Sequence, residues 1–332
     1  MLHRTRYAVN PLPFIPFSGT GGEALSHSGM IAGGIAHPDG SVSVALWSEG
    51  VLTDLGVPPA LPGPQFNKPR VFGINSRGSI VGTIHTAAGE LPSRSFIYDR
   101  GHFTVLPLAD PRNVGGAAIG INDQGQVVGY DRTSGGKVAG WLWRAGAYWK
   151  LPVHGTRTPA LAINSGGTIV GNCSLSLARR LLNRQLRRAG ERGFILSGGV
   201  TQYLAGFVYA INDLGEAAGG STSKGEPMAT IFRGGIATVI LSQRSYAVGI
   251  NGAAQVVGFY QPSGRGRRHL FIWSASSGAL DLTPADYVSA EAAAINNRGE
   301  VLGFGETVSG ESRYFLLTPD PRGALVPQAL VK

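Results

Sequence analysis

The chain has 332 residues, with 29 Lys and Arg against 20 Asp and Glu and a formal net charge of +9. Its single cysteine, Cys173, excludes an internal disulfide and a cysteine-built metal cluster, and no stretch approaches the roughly 18 apolar residues of a membrane span. The 50 glycines and 20 prolines fall between short apolar runs and only 15% of residues are charged, which excludes a disordered polyelectrolyte and suits a turn-rich β protein.

Met1 to Arg6 is basic, but no apolar run of roughly seven or more residues follows it, so the chain as written shows no secretory signal. Tyr7-Ala8-Val9 reads as a short strand. Behind it a motif repeats, first in a degenerate copy marked by Ser26, then at Asn75, Asn122, Asn164, Asn212, Asn251 and Asn296. Successive markers lie 39 to 49 residues apart, the length of one four-stranded propeller blade. The copy Ile121-Asn122-Asp123-Gln124-Gly125-Gln126-Val127-Val128-Gly129 shows the motif in full.

Three residues after the marker stand Gly29, Gly78, Gly125, Gly167, Gly215 and Gly299, with Ala254 in the sixth copy. Asparagine bonds the backbone ahead of it and glycine accepts positive φ, so the motif predicts a tight turn joining two antiparallel strands. In the sixth copy the glycine has moved to Gly252, which predicts a different turn there. Gly33, Gly82, Gly129, Gly171, Gly219, Gly258 and Gly303 recur seven residues after the marker, and a Gly or Ala recurs two residues before it. Small residues inside strands imply close backbone approach, as where strands converge on an axis.

A third strand follows in each copy, as in Val44-Ala45-Leu46-Trp47, Gly140-Trp141-Leu142-Trp143 and Leu270-Phe271-Ile272-Trp273. A fourth ends near Asp54-Leu55-Gly56, Leu106, Leu151, Leu204, Leu241 and Leu282. With these motifs the chain resembles the bacterial HAF repeat family, whose units read roughly Gly-Ile-Asn-x-x-Gly-x-Val-Val-Gly, then His-Ala-Phe-Leu-Trp, then Asp-Leu-Gly. His269 to Trp273 keeps the histidine of that signature. The resemblance covers almost the whole chain and implies an extracellular repeat protein without a defined activity.

The last repeat ends after its third strand, at Phe315-Leu316-Leu317-Thr318-Pro319, so residues 5–12 are expected to supply the missing outer strand. The predicted architecture is all-β: a seven-bladed β-propeller forming a single domain over 1–332, its ring closed by the N-terminal strand. Blade four carries an exception, the basic segment 173–192. Ser174 can cap a helix from Leu175 to Ala189 with Gly190 as its stop. Leu175, Ala178, Leu182, Leu186 and Ala189 would line its apolar stripe, and Arg179, Arg180, Arg184, Arg187 and Arg188 occupy other positions. This reads as a surface helix docked on the propeller, with contact to an anionic membrane surface or acidic partner as the second reading. Arg265, Arg267 and Arg268 form a second basic loop.

His37 and His85 end equivalent second strands and are candidates to meet on the rim of the loop face. Asp123 and Asp213 read as turn residues, since calcium loops need alternating acidic ligands. Neither a nucleophile elbow nor a phosphate or dinucleotide loop is present, and neither cofactor nor metal is expected. Segments entering the first strands should surround the channel mouth. There the sequence places Lys68, Arg70, Arg112, His154, Arg157, Arg244, Tyr246, Tyr287 and Glu291. A cationic mouth suits a carboxylate, phosphate or uronate. The expected function is a monomeric, non-catalytic propeller binding an anionic small molecule, saccharide or acidic partner, with nucleic acid disfavoured. The alternative is a lyase or hydrolase acting on an acidic sugar at the channel mouth. The compartment stays open: the chain as written has no leader, whereas the family resemblance implies secretion.

Overall fold

Each marker asparagine closes a turn with its own side chain. Asn122 Oδ1 accepts the backbone N–H groups of Gln124 (3.1 Å) and Gln126 (3.0 Å), while the Gly125 N–H donates to the Asn122 carbonyl (3.0 Å). Asn75, Asn212, Asn251 and Asn296 repeat the arrangement. The residue three places on takes a left-handed conformation, at φ 76° in Gly125 and 74° in Gly299. The sixth copy departs from expectation: Ala254 takes φ 56° and its N–H still donates to Asn251 (3.0 Å), so the turn is kept without glycine.

The computed structural model describes residues 5–13, 23–59, 66–86, 89–174, 191–223, 225–262 and 266–330. They pack as two compact units. One is Met30–Val208 with Thr20–Ser26; the other is Tyr209–Lys332 with Met1–Gly19 and His27–Gly29.

The first unit holds the sheets of the first four markers. Ala24–Leu25, Ile31–Ala36, Val42–Ser48 and Val51–Gly56 form one antiparallel meander; Phe66–Ile74, Ile80–Thr86, Gly89–Asp99 and His102–Val105 form the next. The third and fourth repeats share a nine-stranded sheet, joined where Arg157–Thr158 pairs in parallel with Val138–Arg144.

In the second unit, Phe207–Ile211, Ala217–Ser223, Glu226–Arg233 and Ile236–Leu241 form a meander. Ser245–Ile250, Val256–Tyr260, His269–Ser274 and Gly278–Asp281 form another, and Tyr287–Ile295, Val301–Thr307 and Ser312–Pro319 the last. Tyr7–Pro11 is the fourth strand of that last sheet, with Tyr7 opposite Pro319 and Pro11 opposite Phe315. The C-terminal segment adds a contact the sequence did not indicate. Leu325 exchanges two backbone bonds with Tyr7 (3.0 and 3.1 Å), and Gln328–Ala329 pairs with Gly278–Asp281 as a fifth strand.

Among the described residues every regular element is a strand, which corrects the fold class: an all-β propeller-like fold replaces a propeller with a helical insertion at 173–192. The ends of that segment are strand, Cys173 opposite Arg192 and Ser174 opposite Glu191, because the ladder of Ile169–Ser174 and Glu191–Ser197 continues into it. Residues 175–190, with Arg179, Arg180, Arg184, Arg187 and Arg188, lie outside the described residues.

The recurrent strand glycines have a packing reason. Gly129 faces Trp141 across the ladder and Gly258 faces Phe271. A Cβ on Gly258 would lie 1.9 Å from the Tyr246 carbonyl oxygen and 2.8 Å from the Phe271 ring. At Gly129 the distances would be 2.1 Å to the Ala117 oxygen and 2.7 Å to Trp141. A large third-strand ring thus covers a bare backbone, and the first strand bulges over it between Ala118 and Gly120 and between Ala247 and Gly249. The small residue before each marker meets the next repeat: a Cβ on Gly73 would stand 3.0 Å from the Ile119 oxygen. The markers also link repeats directly. Asn75 Nδ2 donates to the Asn122 carbonyl (3.1 Å) and Asn122 to that of Asn164 (3.0 Å) in the first unit. Asn212 donates to Asn251 (3.0 Å) and Asn251 to Asn296 (3.0 Å) in the second.

Two predictions follow from these contacts. Asn251 is fully buried, and Asn251→Ala should cost about 2–4 kcal/mol in denaturant unfolding through several lost bonds of about 1 kcal/mol each. Asn251→Asp keeps the turn acceptor but sets a carboxylate against the Asn296 carbonyl. Its folded-state pKa is then raised, so the variant should regain stability as the pH falls and the carboxyl can donate; a pH-independent deficit would argue against the inter-repeat bond. Deleting residues 1–12 removes buried Tyr7 and Leu12 and uncovers the edge of Ser312–Pro319. The unfolding midpoint should fall and partly recover when a peptide of residues 5–13 is added in trans, whereas an unchanged midpoint would show the strand to be dispensable.

Candidate functional site

Alternate residues of a strand share a face. On Phe66–Ile74 this puts Arg70 and Phe72 together, with Thr83 and His85 beside them on Ile80–Thr86 and Ser93 on the third strand. The next repeat faces them with Gly115, Gly116 and Ala117 from its first strand and Tyr130 and Arg132 from its second. These ten residues line a cleft of about 430 Å³, counted with its open side, wholly within the first unit.

The floor is a set of bonds between repeats. Thr83 Oγ1 donates to the Gly116 carbonyl (3.0 Å) and so does Ser93 Oγ (3.2 Å), while the Gly116 N–H donates back to Ser93 Oγ (3.1 Å). Gly116 must be bare, because a Cβ there would stand 2.4 Å from Asp131 Oδ1. Asp131 points away from the cleft, at 3% exposure, and accepts the Trp141 indole N–H (2.9 Å), the Ala109 N–H (2.7 Å) and Asn113 Nδ2 (3.1 Å). Burial nevertheless raises its pKa, with the three donors opposing. On the wall, the Arg70 guanidinium lies 5.4 Å from the centre of the Phe72 ring. Among the described residues the lining holds two guanidinium groups and one imidazole, two aromatic rings and no carboxylate.

Of the residues expected at the channel mouth, Arg70 lines this cleft, and so does His85 of the expected rim. Lys68 is exposed and pairs opposite His85. Arg112 is exposed and forked onto Asp110, with Nη2 2.6 Å from Oδ2 and Nε 3.0 Å from Oδ1. His154 is exposed, its N–H donating to Tyr203 Oη (3.0 Å), and Arg157 is exposed on a short strand opposite Ser174. In the second unit Arg244 lies 3.6 Å from Glu226. Tyr246 stacks on Phe259 at 5.0 Å, and the Arg268 guanidinium sits 4.8 Å from that same ring while bonding Glu291 at 2.7 Å. That stack is neutralised internally. Tyr287 is a core residue packed on Phe315 at 4.6 Å, and burial raises its pKa. Arg267 is exposed, and Arg265 lies outside the described residues.

His37 does not line the cleft. Its Nε2 is 2.8 Å from Ser43 Oγ, which in turn donates to Asp54 Oδ1 (2.6 Å), and the same Nε2 lies 3.5 Å from Asp54 Oδ2. A hydrolytic triad uses two different ring nitrogens for its two partners; here one nitrogen faces both, and Ser43 is 2% exposed. The trio is a clamp between third and fourth strands. His269 makes the equivalent contact, its Nδ1 3.3 Å from Asp281 Oδ2, which also accepts Tyr260 Oη (2.8 Å). The histidine and aspartate of the repeat signature therefore hold adjacent strands.

Phe72, Thr83, Ser93, Tyr130 and Arg132 were not legible as site residues. The available signal was the pairing of an arginine with an aromatic two places away, Arg70 with Phe72 and Tyr130 with Arg132, on strands of consecutive repeats.

The commitment of Arg112 to Asp110 is testable by titration. Hydrogen bonding from Arg112 lowers the Asp110 pKa to about 2. Because the folded pKa is depressed, the contact is present above the ordinary aspartate range and is lost as the pH falls through that value. Carboxyl chemical shifts should place the midpoint near 2 in the native protein and higher in Arg112→Ala, which keeps only the backbone bond from residue 112; equal midpoints would dissolve the pair.

No protein-family model and no curated protein matches the chain. Among solved structures it is similar to the β-propeller domain of the Trilobed protease from Pyrococcus furiosus, at 10% identity and TM-score 0.59 over 92% of this chain and 97% of that one. It is similar to a puromycin-hydrolyzing peptidase of Mycobacterium tuberculosis at 13% identity and TM-score 0.61, covering 98% of this chain and 57% of that one. The WD40 β-propeller domain of Doa1 aligns at 12% identity and TM-score 0.54 over 96% and 99% of the two chains. At such identities the likeness is one of fold, and the fold they share with this chain is the all-β propeller.

Proposed function

We propose that this protein is a seven-bladed propeller of the HAF repeat type that binds a small anionic ligand in the cleft between its second and third repeats. The observation that carries the reading is the lining: Arg70, His85 and Arg132 converge on one concavity to which, among the described residues, no carboxylate contributes. Of the other arginines expected at the channel mouth, Arg112 faces Asp110 and Arg244 faces Glu226, and Arg268 of the basic loop faces Glu291. A guanidinium spends its directional donors on whichever planar anion is nearest, so these three are poor ligand groups. The floor also favours binding, because Thr83, Ser93 and Gly116 satisfy one another and leave the cleft shape fixed before a ligand arrives.

Calorimetric titration with a panel of small carboxylates and phosphates tests this. At least one should bind with 1:1 stoichiometry, more weakly at higher salt. Arg70→Ala and Arg132→Ala should each lose about 1–2 kcal/mol of binding free energy, since both side chains keep partial exposure. Arg112→Ala and Arg244→Ala should bind as the native protein does. Absence of binding across the panel, or equal losses in all four variants, would refute the cleft.

A further inference from the structure

We infer that the ligand class of this cleft is a uronic acid, a pyranose carrying a single carboxylate. The inference rests on the anion-binding reading above and narrows it. A phosphate or sulfate ion is charged on every side and needs donors on every side. Four of the ten lining residues, Phe72, Gly115, Gly116 and Ala117, bring no polar side chain, and the Gly116 N–H is already given to Ser93, so a full charge held against them loses hydration without replacement. A ligand with its charge at one end and C–H faces elsewhere matches the division. Its carboxylate is planar and meets a guanidinium through two parallel bonds.

The walls decide between a sugar acid and a simple carboxylate, because the floor hydroxyls of Thr83 and Ser93 are buried and already bonded to Gly116. Phe72 and Tyr130 supply ring faces for the C–H surface of a pyranose. The open side of the cleft lets a glycosidic chain leave a ring held against these residues.

The test is calorimetry with galacturonate, glucuronate, galactose, acetate, inorganic phosphate and AMP as separate probes. It uses the native protein, Arg132→Ala, Phe72→Leu and the surface control Arg112→Ala, with thermal melts confirming that each variant folds. At least one uronate should bind about tenfold or more tightly than acetate, phosphate and galactose. Arg132→Ala should weaken that uronate by about tenfold. Phe72→Leu, which keeps an apolar side chain but no ring, should weaken uronate about threefold while leaving acetate unchanged. Tighter binding of phosphate or AMP than of either uronate would overturn the uronate class and leave the anion site standing. Equal affinity for uronate and acetate would do the same, because the sugar would then contribute nothing. If none of the probes binds, both the class and the cleft reading fall.

Discussion

The structure depends on one side chain used three ways. The marker asparagine accepts two backbone N–H groups of its own turn, and its amide donates to the marker carbonyl of the following repeat. Local closure and contact between repeats are thus made by the same atoms. Aspartate could make the turn but lacks the donor, and glutamine is too long to return to its own backbone. Where the next acceptor is also available, the amide bonds the side chain four residues on, as in Asn122 with Gln126 (2.8 Å) and Asn296 with Glu300 (2.6 Å). Burial makes each of these bonds obligatory, because an amide hidden from water must find partners. The spacing of the repeats follows from this: the turns have to fall at equal depth for the chain of amides to connect.

Everything further from the turn fits around it. The strand glycines let aromatic rings lie on bare backbone: Phe96, Phe194, Phe271 and Phe315, each opposite one, are fully buried. The core is therefore distributed over the repeats. Outer strands are held by polar clamps such as His269 with Asp281, which tolerate variation: blade one makes the contact with Ser43 and Asp54. At the termini, Tyr7 joins three segments. It pairs with Pro319, exchanges bonds with Leu325 and packs in the core of the second unit, which is why burial pushes its pKa up to about 12.

The cleft lies where the first strand of the third repeat brings Gly115, Gly116 and Ala117 against the second repeat. Asp131 needs Gly116 to be bare, and its carboxylate is consumed by an indole, an amide and a backbone N–H. The carboxylate closest in sequence to Tyr130 and Arg132 is thereby kept out of the cleft. The site is a by-product of how two repeats meet, and it needs no long loop.

Local chemistry made much of the fold legible in the sequence. An asparagine followed three residues later by glycine specifies a turn through bonds within five residues, so the hairpins could be read without tertiary information. The period then followed by counting. Ala254 shows the limit of that reasoning: turn propensity argued for a different turn, yet the contacts on either side hold an alanine at φ 56°. The segment 173–192, expected to carry a helix, is strand at both of its described ends for a related reason. Capping preferences amount to about 1 kcal/mol, whereas Cys173 and Ser174 continue a ladder with Arg192 and Glu191. The cleft was beyond the sequence altogether. Arg70 and Arg132 are 62 positions apart, and a basic residue at a strand entry looks the same whether it forks onto a neighbouring aspartate, as Arg112 does, or faces an opening. Sequence determined which residues bend the chain and which pair into strands, because those energies act between neighbours. Tertiary structure decided which cations line a concavity, because that depends on what the adjoining repeat brings against them.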